Sequence, residues 1–339
     1  MIRELKQLYV SLFNWLVSFV PPSDFNDVLI LRLDQLGDFV LWLDSAKEYR
    51  KIYHNKRLTL LVNGNWYDLA KSLPYWDEVI PLDTIKFRLN PWYRLNFLLF
   101  IRKQGFEICI CPRHSVKFTL EPPIVAISGA QQKIVCEGSF PIEKQNYFTR
   151  SIPMYPGIHE LSRNAEFLRG LGRKDFKSTA PKIFTMAEKK DYIVFCPTSF
   201  RKHKEWSLEN FMILMDCIWE EFGYKIKVCS DKKIKARWFD YVEDLSGKTS
   251  VVEFINVIAS AKMVVGNDSA CIHLASAFDV PSVCIGVESP GRFLPYEGGI
   301  EKSREGMILP IVIEKPVKEI EVEEVWQIVK NILDKPKGL

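Results

Sequence analysis

Residues 27–53 read DVLILRLDQLGDFVLWLDSAKEYRKIY. Residues 27–33 form a short, branched, apolar run of the kind that makes a strand buried on both faces. A turn over residues 34–37 follows, and from about residue 38 to 53 the apolar positions fall at helical spacing. Strand, loop and helix in that order predict a parallel sheet, since a parallel neighbour is reached only through a crossover.

The pattern recurs on the C-terminal side. Further strands are expected at 58–62, 79–81, 107–111, 124–127 and 133–136, with helical stretches near 66–72, 96–103 and 161–171. Residues 140–157 read as irregular. The chain turns polar and basic over 173–191, with Pro181 inside, which places a linker there. A second series then opens with a strand at 192–196, a loop at 197–204 and a helix at 207–222 stopped by Gly223. It continues with a strand at 225–229, a short helix at 235–242, a helix at 250–259, a strand at 263–265, a helix at 271–278, a strand at 282–285 and a last helix at 322–333. The expected fold class is therefore α/β: two Rossmann-like, doubly wound parallel-sheet domains, residues 23–180 and 181–339, facing a cleft and preceded by an amphipathic helix over residues 1–22.

Composition fits a folded globular chain: 339 residues, 47% hydrophobic, 26% charged, net charge +4. Basic and acidic residues interleave, so no nucleic-acid track is indicated. Eight cysteines, at 109, 111, 136, 196, 217, 229, 271 and 284, lack paired metal-site spacing. They read as buried free thiols in a reducing compartment, and neither a metal nor a cofactor is expected. In the N-terminal segment Leu5, Leu8, Leu12, Phe13, Leu16 and Phe19 recur at helical spacing, broken by Lys6, Gln7, Ser11 and Asn14. That run is too short and polar to cross a bilayer, and it lacks a signal-peptide cleavage site.

In a doubly wound sheet the loops after the strands form the mouth of the site, and three of them carry chemistry here. Leu36-Gly37-Asp38 opens a helix, where Asp38 reads either as an N-cap or as a general base. Ser199-Phe200-Arg201-Lys202-His203-Lys204-Glu205-Trp206 gathers cations between a strand and a helix, as a diphosphate site would. In Gly266-Asn267-Asp268-Ser269-Ala270-Cys271-Ile272-His273, Asp268 and Ser269 are placed to cap a helix that carries His273 on its first turns. Arg113 and His114 follow the strand at 107–111. The absence of GxGxxG argues against a dehydrogenase of the usual fingerprint.

Together these stretches resemble glycosyltransferase family 9, the lipopolysaccharide-core heptosyltransferases. The likeness runs through Ile30-Leu31-Arg32-Leu33, Leu36-Gly37-Asp38, Lys204-x-Trp206, Leu245-Ser246-Gly247-Lys248-Thr249-Ser250, Gly266-x-Asp268-Ser269-x-x-His273-Leu274-Ala275 and Pro290-x-Arg292-Phe293-x-Pro295-Tyr296. The resemblance implies the GT-B architecture and an inverting, metal-independent transfer from a nucleotide sugar such as ADP-heptose to a hydroxyl of a lipid-linked or oligosaccharide surface-glycan acceptor. It implies Asp38 as the base and Lys204 as the group that neutralises the departing diphosphate. Ser199, Asp268, Ser269, His273 and Glu288 would lie on the donor side, Arg113 and His114 on the acceptor side. The chain departs from the family at Ala270, where Gly is usual, at Asp44-Ser45-Ala46 and at Val287-Glu288-Ser289. A non-catalytic nucleotide-sugar-binding scaffold and a sugar-nucleotide epimerase or hydrolase are the competing readings. A cytoplasmic location is expected, with peripheral contact at the inner face of the membrane through the N-terminal helix and the Trp92, Tyr93, Phe97 and Phe100 segment. Phe97 and Phe100 themselves read as helix-to-sheet packing.

Overall fold

The structure, a computed structural model, describes residues 2–23, 27–140, 146–155, 157–183, 187–199, 201–286, 293–294 and 311–334. It divides into two compact units. The first comprises residues 1–34, 45–158 and 162–178, the second residues 35–44, 159–161 and 179–339.

The first unit is built on six strands: β1 (Val28–Arg32), β2 (Leu58–Asn63), β3 (Glu78–Leu82), β4 (Ile108–Cys111), β5 (Gln132–Cys136) and β6 (Arg150–Ile152). Their order is β3-β2-β1-β4-β5-β6, and every pairing is parallel. Ile30 stands between Leu60 and Ile110 in the register, and β1 is buried throughout, as its unbroken apolar run requires. The helices of this part of the chain are α1 (Ile2–Ser18), α2 (Leu36–Ala46), α3 (Glu48–Ile52), α4 (Tyr67–Ser72), α5 (Thr84–Leu89), α6 (Pro91–Gln104), α7 (Glu121–Ile127) and α8 (Glu160–Gly170), residues 36–44 of α2 counting with the second unit. Phe13 and Val17 of α1 join the same core cluster as Leu29, Leu31, Phe97, Leu98 and Ile124.

The second unit repeats the plan with β7 (Tyr192–Cys196), β8 (Lys225–Val228), β9 (Val242–Asp244), β10 (Met263–Asn267), β11 (Ser282–Ile285) and β12 (Ile311–Ile313). Its order is β12-β11-β10-β7-β8-β9, again all parallel. Both sheets thus wind outward from a central pair, β1 with β4 and β7 with β10, and each has its topological switch point at the carboxyl ends of that pair. Helices α9 (Leu208–Phe222), α10 (Val251–Ala259), α11 (Ala270–Ala277) and α12 (Val322–Leu333) accompany it. Their ends follow local chemistry. Ser207 caps α9 by accepting from the Asn210 N–H at 3.1 Å, and Gly223 ends it in the left-handed region at φ +68°. Ser250 and Glu253 form a reciprocal capping box on α10.

Several expectations are corrected. Residues 124–127 lie in helix α7, not a strand: Pro122 and Pro123 occupy its first turn, where a missing N–H is harmless. The helix expected at 38–53 is two helices, α2 and α3, separated by a turn at Lys47. No helix forms over 235–242. The Ile234 N–H is held by the Ser246 hydroxyl at 2.9 Å, Lys233 pairs with Asp244, and Val242 begins strand β9. The irregular stretch 140–157 contains β6. Phe97 is buried as expected, but Phe100 is 40% exposed.

A buried ion chain ties the ends of β1 and β4 together. Arg32, fully buried, pairs with Asp34 at 2.5 Å and donates to the Pro112 carbonyl at 3.0 Å. Asp34 also faces Arg113 at 3.5 Å, and Arg113 pairs with Glu121, which is inaccessible to solvent. Glu121→Ala is expected to leave Arg113 short of a buried counter-charge and to lower stability by about 3 kcal/mol, measurable as a shift in the urea midpoint. An unchanged midpoint would show that the chain carries no net weight.

Candidate functional site

The site is built at the switch point of the second sheet, where the loops after β7 and β10 leave side by side because Cys196 and Gly266 are register partners. Asn267, fully buried at the end of β10, fastens one loop to the other. Its Nδ2 donates to the Pro197 carbonyl at 2.8 Å, and its Oδ1 accepts from the Trp206 N–H at 3.0 Å. The Trp206 indole is sunk in the core and donates to the Ile320 carbonyl at 2.8 Å. Ser199 N–H donates to Glu205 Oε1 at 3.0 Å, closing the loop on itself.

Between these anchors residues 202–204 form a single 3-10 turn that brings Lys204 Nζ to 2.5 Å from Asp268 Oδ2. Both side chains are largely buried, and an ammonium held there by a carboxylate is a preformed partner for a ligand anion. Arg201, Lys202 and His203 of the same loop remain exposed.

Helix α11 starts immediately after Asp268. Ser269 is its N-cap residue, yet its side chain makes no capping hydrogen bond: the Ser269 hydroxyl lies 3.2 Å from Cys271 Sγ, and Asp268 is turned to Lys204. The capping role expected of the pair is therefore corrected: the Ile272 N–H is taken by the Ser269 carbonyl at 3.1 Å, and among the described residues Ser269 and Asp268 do not cap the start of α11, a helix end suited to an anion.

His273, on the next turn, is 7% exposed, and its Nδ1 has no hydrogen-bond partner among the described residues. Burial drives its pKa from 6.5 down to about 4; Asp268 pulls it back upward, while His159 and Lys204 push it further down. The imidazole is therefore neutral at physiological pH. It lies directly on Gly37: a Cβ at that position would stand 2.7 Å from His273 Cδ2 and 3.2 Å from Nε2. The glycine is required by this contact, because no side chain fits between the α2 backbone and the ring. Asp38 follows as the third residue of α2, half-buried within the first turn and not at the N-cap.

The second unit thus gathers Asp38, Ser199, Lys204, Asp268, Ser269 and His273. Arg113 and His114 belong to the first unit, where Arg113 is engaged by Glu121 and Asp34. Glu288 lies outside the described residues, as do Pro290, Arg292, Pro295 and Tyr296. Asn267 and Glu205 were not singled out by sequence. The signal available was an amide closing an otherwise apolar strand, MVVGN. Leu245-Ser246-Gly247 proves to be a turn: Gly247, at φ +66°, would set a Cβ 2.7 Å from the Lys233 backbone nitrogen. All eight cysteines are free, and seven are buried. Among the described residues no group of three or more His, Cys, Asp or Glu side chains is arranged to hold a metal ion.

Residues 168–308 match the model of glycosyltransferase family 9 (heptosyltransferase). Lipopolysaccharide heptosyltransferase 3 of Escherichia coli is 26% identical over 161 residues, covering 41% of this chain and 46% of the relative. The match thus spans less than half of that relative's length. Lipooligosaccharide heptosyltransferase 2 of Haemophilus ducreyi is 25% identical over 322 residues, 82% of this chain and 91% of the relative. Among solved structures, E. coli heptosyltransferase WaaC with ADP superposes with a TM-score of 0.72 at 19% identity, covering 90% of this chain and 99% of the other. A family 9 glycosyl transferase from Veillonella parvula gives 0.72 at 18% identity, covering 91% and 97%. These likenesses establish the GT-B fold expected from the sequence.

Two outcomes follow from His273. Gly37→Ala must displace the ring, so turnover is expected to fall by about tenfold or more, with circular dichroism of the fold unchanged; undiminished turnover would show the contact to be idle. The second concerns pH. A histidine whose folded pKa is depressed stabilises the fold fully above its unfolded pKa of 6.5 and loses that contribution as pH falls towards about 4. Stability should drop by about 2 kcal/mol between pH 7.5 and 5, and His273→Gln should flatten that slope in urea titrations. Parallel slopes for the two proteins would contradict the assignment.

Proposed function

We propose that this chain transfers a sugar from a nucleotide-activated donor of the ADP-heptose type to a hydroxyl of a lipopolysaccharide-core or related surface-glycan acceptor, with inversion at the anomeric carbon. The observation that carries the reading is the Lys204–Asp268 pair beside the uncapped start of α11, with the neutral ring of His273 packed on Gly37 next to Asp38. The names of the relatives give the chemical class: lipopolysaccharide and lipooligosaccharide heptosyltransferases, and a fold neighbour solved with ADP.

An inverting displacement has two electrostatic demands, a base for the attacking hydroxyl and compensation for the departing diphosphate. Asp38 is the base. Its carboxylate takes the acceptor proton as oxygen attacks the anomeric carbon and the bond to the diphosphate breaks. Lys204 meets the charge that develops on the leaving group, and Asp268 keeps the ammonium oriented until the donor arrives. The leading N–H groups of α11 and the Ser269 hydroxyl bind the diphosphate side, with Ser199 and Glu288 completing the donor contacts. Neutral His273 donates or accepts one hydrogen bond without adding charge to a site that already holds a lysine. Arg113 and His114 serve the acceptor. Lys204 and the helix N-terminus supply the positive potential, so transfer is proposed to proceed without a metal ion. The free thiols fit a cytoplasmic location.

Calorimetry with ADP, UDP, GDP, CDP and ADP-heptose is expected to show selective binding of the adenine compounds. Lys204→Ala should weaken that binding by about tenfold or more. Asp38→Asn should retain donor binding and lose turnover by about a hundredfold or more, and EDTA should leave wild-type turnover unchanged. Donor binding without any transfer would favour the scaffold reading. Donor consumption without an acceptor would favour an epimerase or hydrolase.

A further inference from the structure

Helix α1 is fixed to the first unit along one side and bare along the other. Val10, Phe13 and Val17 are buried, and the guanidinium of Arg94, fully buried on α6, lies 5.3 Å from the Tyr9 ring, 5.8 Å from Phe13 and 4.5 Å from Phe87 of α5. Beyond the helix, Arg102 Nε donates to the Val20 carbonyl at 2.8 Å, and the Ser23 hydroxyl donates to the Lys103 carbonyl at 2.8 Å. The orientation of α1 is therefore set by the fold.

Its outer side carries Leu8, Leu12, Trp15, Leu16 and Phe19, with Trp15 58% and Phe19 68% exposed. They follow helical spacing, and the Trp15 and Phe19 rings meet edge to face at 4.9 Å. From Gln7 to Ser23 there is no charged residue. A helix face kept in water ordinarily carries charges; from Gln7 onward this one exposes only apolar and neutral groups, with Glu4 the exposed charge one turn earlier. The neighbouring α5–α6 segment, which shares the Arg94 cage, adds Ile85, Leu89 at 76% exposure and Trp92 at 75%. Residues 84–104 contain two lysines and three arginines and no acidic residue, and Lys86, Arg88 and Lys103 of these are exposed.

An uncharged Leu/Trp/Phe face beside a wholly basic segment matches an anionic bilayer, where apolar groups enter the acyl boundary, tryptophan sits at headgroup level and cations meet phosphate. A second copy of the chain is the poorer fit, since a two-fold contact through this face would bring two basic segments together. No helix among the described residues is long and apolar enough to cross a membrane, so α1 would lie in the interface plane. We propose that the outer face of α1, with Leu89 and Trp92, is a lipid-binding surface that seats the chain on an anionic membrane.

The test reads binding, not turnover, so it is independent of the transfer reaction. Deleting α1 would strip Phe13 and Val17 from the core, so the probe is the full chain carrying Leu12→Ser, Trp15→Ser and Phe19→Ser together, all at exposed positions. Wild type should float with phosphatidylglycerol–phosphatidylethanolamine vesicles and less with phosphatidylcholine alone. The triple variant, melting at the wild-type temperature, should partition at least about tenfold less. The proposal is overturned if wild type stays with the soluble fraction, or if the variant floats equally well. Equal flotation on both vesicle types overturns the choice of an anionic surface. A vesicle-free dimer that the variant abolishes, with no flotation, assigns the face to a second copy instead.

Discussion

The loops that leave β7 and β10 depend on one buried amide. Asn267 closes β10 where the strand's ladder ends, and its side chain bridges the two loops that diverge from the central strand pair. Both of its polar ends are satisfied, so its burial is not penalised as an orphaned group would be. The consequence is positional. Trp206 is pinned from its backbone by Asn267 and from its indole by the Ile320 carbonyl, and two residues earlier the chain must turn Lys204 towards Asp268. A lysine–carboxylate pair shielded from water costs desolvation energy that the contact alone seldom repays with much margin. Its value lies in orientation: the ammonium is held at the mouth of α11 before any ligand arrives.

The same helix sets the second constraint. Because the imidazole of His273 rests on the bare backbone of Gly37, the first turn of α2 and the first turns of α11 are held at contact distance within the second unit. Burial keeps that ring neutral, which suits a position close to Lys204, where a second cation would be repelled. One glycine thus accounts for the close approach of the two helices, and Asp38, the proposed base, is the next residue along α2.

Much of this was legible because the deciding constraints are local. Leu36-Gly37-Asp38, Lys204-x-Trp206 and Asp268 with His273 are each read within a few residues, and so are the caps Ser207, Gly223 and Ser250. What stayed hidden depends on partners distant in sequence. Arg32 reads as an interruption in an apolar strand until the Pro112 carbonyl, 80 residues on, is seen to accept from it. Asn267 finds its partners 70 and 61 residues back. The four apolar residues 124–127 carry no usable period, and only the preceding prolines hinted at a helix start. Ser269 has the composition of a cap, but a neighbouring thiol competes for its hydroxyl.

Helix α1 shows the reverse relation, in which sequence gives the element and structure gives its meaning. Its apolar residues fall on more than one side, which by pattern alone describes a helix buried all round. Packing accounts for only part of them: Val10, Phe13 and Val17 fill the core, and Arg94 stacks on its rings, while Leu8, Leu12, Trp15, Leu16 and Phe19 remain outside. Serving the core requires only the inner set. Burying the outer five would be favourable by roughly 1.5–3 kcal/mol for each fully covered side chain, a free energy the chain alone does not realise. The proposed lipid-binding surface would recover that free energy, and the basic α5–α6 segment beside it suits a phase of negative charge.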